Sequence, residues 1–240
     1  MKSFHAGLLD YRSLNNLIRE SSDEVEISGV LGQRFIAAGL SHPKITVTGT
    51  PGNALGAYLN GACITVHGNV QDAVGDTMND GKIIIHGNIG DAAGYAMRGG
   101  SIFVKGNAGY RAGIHMKEYG DKKPVMVIGG RCGSFLGEYQ AGGLIIVLGL
   151  HTSGRPVISN FPCAGMHGGK LFLRSDCKGI LFPPNVIVRP ADSEDLIEIE
   201  PYITEFCNTF DYEKETILNS PFTIIVPDSK NPYKQMYVAN

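Results

Sequence analysis

The segments Ile64-Thr65-Val66-His67-Gly68, Ile83-Ile84-Ile85-His86-Gly87 and Ile102-Phe103-Val104-Lys105-Gly106 stand 19 residues apart. The same pattern precedes them as Val25-Glu26-Ile27-Ser28-Gly29 and Ile45-Thr46-Val47-Thr48-Gly49. It follows them as Met126-Val127-Ile128-Gly129-Gly130, Ile145-Ile146-Val147-Leu148-Gly149 and Leu171-Phe172-Leu173-Arg174-Ser175. One such unit is too short to bury its apolar face alone, so successive units are expected to stack in parallel, strand on strand. The pattern predicts an all-β domain over residues 25–176, a right-handed parallel β-helix of about eight rungs with a period of about 19 residues. A left-handed coil would carry a branched aliphatic residue in every hexapeptide, which this chain does not.

Glycines lock the register. One follows the strand-ending glycine by seven positions in five consecutive copies, at Gly56, Gly75, Gly94, Gly113 and Gly137. Others fall three positions on, at Gly32, Gly52, Gly90, Gly109 and Gly133, and asparagines recur just past the strand at Asn69, Asn88 and Asn107. Both residue types tolerate left-handed backbone, so all are read as corners. Strand alternation then sends Ile64 and Val66, Ile83 and Ile85, and Ile102 and Val104 into the lumen of the coil.

Composition agrees with a glycine-cornered globular fold. The 240 residues include 32 glycines and no tryptophan, with 43% hydrophobic and 18% charged residues, which argues against a disordered chain. A formal charge of −2, from 21 basic and 23 acidic residues, gives no bulk electrostatic reason to expect nucleic acid or membrane as a partner. The N-terminus has no signal-like segment and no apolar run is long enough to span a bilayer, so a cytoplasmic protein is expected. The five cysteines are widely separated, which predicts reduced, mostly buried thiols rather than disulfides, zinc or an iron–sulfur cluster.

Outside the repeats, residues 1–24 are expected to form a helical cap, with Asp10 opening a helix that places Leu14, Leu17 and Ile18 on one face. Residues 177–240 read as a mixed α/β extension. Pro201 opens a helix carrying Ile203, Phe206 and Phe210, Asp211 starts another, and Phe222 to Val226 form a strand before a Pro-Asp-Ser turn. The middle residue of each repeat strand points outward. It is Glu26, Thr46 and Thr65 in early rungs but Ile84, Phe103, Val127, Ile146 and Phe172 in later ones. A soluble protein rarely leaves such a stripe bare, so either the C-terminal extension covers it or it is a candidate docking face for another subunit.

Candidate chemistry is sparse. The glycine clusters are followed by strands and not by helices that could receive phosphate, and Ala164-Gly165-Met166-His167-Gly168-Gly169-Lys170-Leu171 fails a phosphate loop at both ends. His67 and His86 occupy the same rung position within about 5 Å, but their ladder neighbours Thr48 and Lys105 supply no third metal ligand. Asp72, Asp76 and Asp91 fall on adjacent turns, as the acidic ligands of a carbohydrate-active β-helix enzyme would, yet no basic ladder accompanies them. No catalytic, cofactor-binding or metal residue is assigned.

The blocks Gly106-Asn-Ala-Gly-Tyr-Arg-Ala-Gly113, Gly137-Glu-Tyr-Gln-Ala-Gly-Gly143 and Ala164-Gly-Met-His-Gly-Gly169 resemble the C-terminal GXGXG domain of the glutamate synthase large subunit. The resemblance covers about residues 25–176. It implies a right-handed β-helix without catalytic residues of its own, packed against glutaminase and FMN-synthase domains. The whole enzyme moves the amide nitrogen of glutamine to 2-oxoglutarate, with FMN and an iron–sulfur cluster held outside this domain. The chain starts Met1-Lys2-Ser3, without the cysteine a glutaminase exposes after processing, and has no clustered cysteines. It therefore resembles a free-standing scaffold subunit, with an extension ending Asn231-Pro-Tyr-Lys-Gln-Met-Tyr-Val238, whose partners would be glutaminase-type and FMN-synthase-type subunits. The C subunit of formylmethanofuran dehydrogenase and a subunit of N-methylglutamate synthase share the repeat, and an independent carbohydrate-active enzyme is the contrasting class.

Overall fold

A computed structural model describes residues 1–21 and 24–228. The residues Asn231 to Val238 of the extension lie outside the described part. In chain order the elements are β1 (Lys2–His5), α1 (Tyr11–Arg19), β2 (Val25–Leu31), β3 (Lys44–Thr50), β4 (Asn60–His67), β5 (Asp80–Ile85), β6 (Ser101–Val104), β7 (Val125–Ile128), β8 (Ala141–Val147) and β9 (Gly168–Leu173). There follow β10 (Val186–Pro190), α2 (Ser193–Phe210), α3 (Lys214–Leu218) and β11 (Thr223–Pro227). All strands belong to one sheet in the order β1 to β9, then β11, then β10. From β2 to β9 each strand pairs in parallel with the next, with Ile45, Ile64, Ile83, Ile102, Met126, Ile145 and Leu171 in one continuous register. These are the eight rungs of a parallel β-helix. A second, shorter ladder runs through the bridges Val70–Ile89–Ala108–Cys132–Ile158.

The lumen is filled as alternation requires: Ile64, Val66, Ile83, Ile85, Ile102 and Val104 are fully buried in one core. Gly56, Gly75, Gly94, Gly113 and Gly137 all have φ between +64° and +70°, a left-handed backbone. Of the other glycines Gly32 also takes left-handed backbone, at φ +80°, whereas Gly52, Gly90, Gly109 and Gly133 do not, and the asparagines work differently. Asn69, Asn88 and Asn107 do not take left-handed backbone. Their side-chain oxygens each accept the backbone N–H of the next rung at 2.8 Å, from Asn88, Asn107 and Arg131. Asp72 and Asp91 do the same for Asp91 and Tyr110 at 2.9 and 2.7 Å. These polar columns tie the outside of the coil together as the aliphatic columns tie the inside.

The corners also recruit residues that are not glycine. Ala54 and Tyr58 flank Gly56 with φ of 64° and 57°, and the same alternation recurs at Ala73 and Thr77, Ala92 and Ala96, Arg111 and His115, and Phe135 and Tyr139. The corner is thus left-handed at every second residue. Its N–H groups bond alternately backward and forward: Gly75 donates to Leu55 O at 2.9 Å and Ala73 to Asp91 O at 2.8 Å.

Both flanks depart from expectation. The N-terminal segment is not only a helix, because β1 pairs in parallel with β2 and adds a strand before the first rung. Asp10 does cap α1, accepting from Arg12 N and Ser13 N. The buried face of α1 is Leu14, Asn15 and Ile18, with Leu17 half-buried. Asn15 is tied to the first corner by accepting the Ala37 N–H at 3.0 Å. At the other end α2 begins at Ser193, not at Pro201. Asp192 and Asp195 form a reciprocal capping box there, and Pro201 sits inside the helix. A proline is tolerated at that point because the carbonyl it leaves unbonded belongs to Ile197, on the solvent face. Asp211 does not start the next helix; in left-handed conformation, φ 63°, it ends α2.

The outward stripe is covered by the chain itself. Phe103, Val127, Ile146 and Phe172 are fully buried in a second core with Ile199, Ile203, Phe206 and Phe210 of α2, and Ile84 packs against its margin. The docking reading of these five residues is therefore corrected: the outward register was right, but α2 occupies the face. Ion pairs rim the contact, Lys82 with Glu205, and Lys123 and Lys170 with Glu198. β11 locks the tail on by antiparallel pairing with β9.

Two substitutions test this. Gly94→Val introduces a branched side chain at φ +67°, with its Cβ 2.4 Å from the flexible end of Met126 in the lumen, which must move aside, and is expected to cost about 2 kcal/mol, chiefly from the backbone angle and the added bulk. Gly32→Ala, at φ +80° with open space, should cost only about 1 kcal/mol. Equal losses in urea unfolding would show that the lumen contact adds nothing. Phe103→Asp buries a carboxylate beneath α2 and should cost about 4 kcal/mol, or prevent folding. A variant melting with the parent would place Phe103 on open surface.

Candidate interaction surface

On the corner edge of the later rungs, alternating left-handed residues aim large side chains at solvent. Arg111 and Phe135 hold one corner position in successive rungs, His115 and Tyr139 hold another, and all four have positive φ. The rungs stack these side chains. Tyr110 and Phe135 meet edge to face at 5.2 Å, Phe135 and Phe161 are tilted at 5.2 Å, and His115 lies parallel to Tyr139 at 5.1 Å. The Arg111 guanidinium stands 4.8 Å from the Tyr110 ring and 5.4 Å from that of Phe135, and its Nε lies 2.7 Å from Glu138 Oε2. The pair departs from hydrogen-bond alignment, so the contact is ionic and cation–π in character. Glu138 is buried, whereas Tyr139 is 40% and Phe161 64% exposed. Beside Phe161 an open cleft of about 460 Å³ is lined by Arg131, Pro156, Ile158, Ile180 and Leu181.

Residues from two of the blocks that carry the family resemblance meet here: Tyr110 and Arg111 from one, Glu138 and Tyr139 from the next. The third reaches the same edge through a hydrogen bond from Tyr139 N to Ala164 O at 2.8 Å. Gln140, in the second block, takes the lumen position that Leu59, Met78, Met97 and Met116 hold in earlier rungs. Fully buried, it donates to the carbonyls of Gly142 and Gly143 at 3.2 and 3.1 Å and so fixes the bend into β8. Arg111, Phe135, Glu138 and Phe161 were not singled out from sequence as a site. The signal available was the run of bulky residues at corner positions that earlier rungs, Tyr58 apart, fill with alanine or threonine.

The other candidates fall into structural roles. The five corner glycines face the lumen and not a ligand. His67 and His86 do stack, with ring centroids 4.6 Å apart, and His86 meets the Phe210 ring edge-on at 5.2 Å. Among the described residues no three His, Cys, Asp or Glu side chains gather as a metal set. All five cysteines are free thiols, and burial raises the pKa of each, which keeps them protonated. The segment after Gly165 runs directly into β9, so no helix N-terminus waits there for phosphate. No helix among the described residues is long and apolar enough to cross a membrane.

Comparison with known proteins agrees with this architecture. The family model described as GXGXG motif matches residues 12–228, and the chain belongs to that family, the family of the GXGXG domain of the glutamate synthase large subunit. The match takes in α1 and the tail as well as the repeats. The chain is also similar to the uncharacterized protein MJ1350 of Methanocaldococcus jannaschii, 43% identical over 243 aligned positions that cover 95% of this chain and 93% of that protein.

Two measurements follow from the geometry. Arg111→Ala would strand the buried Glu138 carboxylate and is expected to cost about 2 kcal/mol, while Glu138→Gln together with Arg111→Ala should recover part of that loss. A double-mutant cycle with no coupling would show the pair to be idle. His86 has its pKa lowered by burial first, then by His67 and Lys105. Because the folded state resists the proton that the unfolded chain accepts, stability should fall as pH drops below about 6.5, and this part of the fall should vanish in His86→Phe. Parallel melting profiles between pH 5 and 8 for parent and variant would contradict it.

Proposed function

We propose that this chain is a non-catalytic scaffold subunit of a glutamate synthase-type complex. In this reading, glutaminase-type and FMN-synthase-type partners carry out amide transfer from glutamine to 2-oxoglutarate, and FMN and the iron–sulfur cluster reside in them. The observation that carries the proposal is the convergence of the family's sequence blocks on one exposed aromatic edge around the Arg111–Glu138 pair. Exposed tyrosine, phenylalanine and arginine side chains held rigid from below are the composition of an interface centre. The other large apolar face of the coil is already occupied by α2.

The test is co-expression of the tagged chain with glutaminase-type and FMN-synthase-type subunits of the same organism. Association is expected, with flavin and iron in the complex and none in the chain alone, and with glutamine-dependent glutamate synthesis requiring every subunit. Phe161→Asp changes a side chain that is 64% exposed, so it should leave the melting temperature unchanged while weakening association. Glutamine hydrolysis or a flavin spectrum from the chain alone would overturn the proposal. Selective association with molybdenum or tungsten subunits would replace it with the formylmethanofuran dehydrogenase reading.

A further inference from the structure

The repeat between β6 and β7 is longer than its predecessors, and the added residues fold into a tight turn that creates a cleft. Tyr119 and Lys122 exchange backbone hydrogen bonds at 3.2 and 3.1 Å across Gly120, whose φ is +59°. The turn leans back over earlier rungs. Lys122 Nζ reaches Asp80 Oδ2 at 2.9 Å, and its stem rests on Gly99, where a Cβ would stand 2.9 Å from Lys122 Cβ. Beneath the turn, Asn60, Asn79 and Arg98 occupy one rung position in three successive repeats, and so form a column with a spacing of about 4.8 Å. These three, with Tyr58, Tyr119 and Lys122, line a cleft of about 410 Å³.

The lining is rich in donors and carries positive charge. Lys122 shares its charge with Asp80, but Arg98 has no carboxylate within ion-pair distance among the described residues, and its guanidinium stands 6.0 Å from the Tyr119 ring. None of the side chains of Tyr58, Asn60, Asn79 and Tyr119 hydrogen-bonds to another protein group among the described residues. A wall of amides and phenols around one uncompensated guanidinium, facing a turn that carries an ammonium, matches an anion that accepts several hydrogen bonds at once. We infer that this cleft binds a small oxyanion group, the phosphoryl or carboxylate of a polar metabolite, with Arg98 as its charge partner and Asn60 and Asn79 as neutral donors. The site is separate from the aromatic edge, so it stands or falls independently of the scaffold role.

The experiment is a titration of the isotope-labelled full chain with inorganic phosphate and, separately, with acetate at constant ionic strength, followed by NMR. The expected result is saturable shifts at the Asn60 and Asn79 side-chain amides and at Arg98 Nε, with millimolar affinity that weakens at least about tenfold in Arg98→Gln. Saturation by phosphate alone assigns a phosphoryl ligand, and saturation by acetate alone assigns a carboxylate. The guanidinium of Arg98 is exposed, so the backbone spectrum of the variant should match that of the parent, and this separates loss of binding from loss of fold. Three outcomes overturn the site: no saturation by either anion, an unchanged titration in Arg98→Gln, or equal shifts at the exposed Arg12 and Arg19, which would mark non-specific pairing.

Discussion

A close backbone approach repeated from rung to rung sets the rest of the structure. At the strand ends, a Cβ on Gly49 would lie 2.2 Å from Val30 O, one on Gly68 2.2 Å from Gly49 O, and one on Gly87 2.5 Å from Gly68 O. The column continues at Gly106 and Gly130 with 2.7 and 2.8 Å to the preceding glycine carbonyl. No side chain fits between two backbones so close, so glycine is required along the column by contact, and at Gly49 and Gly68, with φ of +129° and +155°, by dihedral angle as well. Once that approach is allowed, the strands can pair at ordinary sheet spacing on one side while the turns pair on the other, and every rung inherits the register of the one before. From Gly49 to Gly130 the same column gives the repeat its visible marker, because a position that admits one residue type recurs in each rung, whereas the last copy ends at Ser175.

That explains why the coil was legible and its margins were not. The aliphatic pairs and strand-end glycines announce each rung, and every outward residue of the stripe was placed correctly. β1 is silent because Lys2-Ser3-Phe4-His5 carries a single apolar residue and no closing glycine, yet it needs only the exposed edge of β2 to pair. The start of α2 was misplaced because Pro201 is a strong sequence marker for a first turn, while the actual start depends on Asp192 and Asp195 bonding reciprocally to each other's backbone, a pattern without Ser or Thr. The asparagine columns were seen but misread. Their oxygens bridge to the next rung, which sequence spacing shows only as recurrence and not as a direction of bonding.

Covering the stripe determines which surfaces remain for function. The second core joins Phe103, Val127, Ile146 and Phe172 to α2, so the long apolar face contributes to stability and is lost to partners. The three rim ion pairs are all half-exposed, between 26% and 39% on each side chain, and each adds at most about 1 kcal/mol. Apolar burial and the β9–β11 pairing therefore hold the tail, and the charges set its angle. The coil's remaining large exposed side chains are then concentrated on the corner edge, where they were hardest to foresee.

The corner edge also argues from strain. A residue other than glycine in left-handed backbone costs about 1 kcal/mol, and apart from Tyr58 the rungs from Ala54 to Ala96 fill the two flanking corner positions with small residues: Ala54, Ala73 and Ala92 at one, Thr77 and Ala96 at the other. The fold thus needs no bulk there. Yet the later rungs carry Arg111, Phe135, His115 and Tyr139 at those same positions, under the same strain, with their apolar surface partly in water. Their stacking on each other and the Arg111–Glu138 pair recover some of that cost, but alanine would fit the backbone equally well. A corner that keeps large, rigid, half-exposed side chains where small ones suffice gains nothing in backbone fit from them, and this is the physical reason the proposed docking role falls on the corners of the last rungs and not on the broad faces of the sheet.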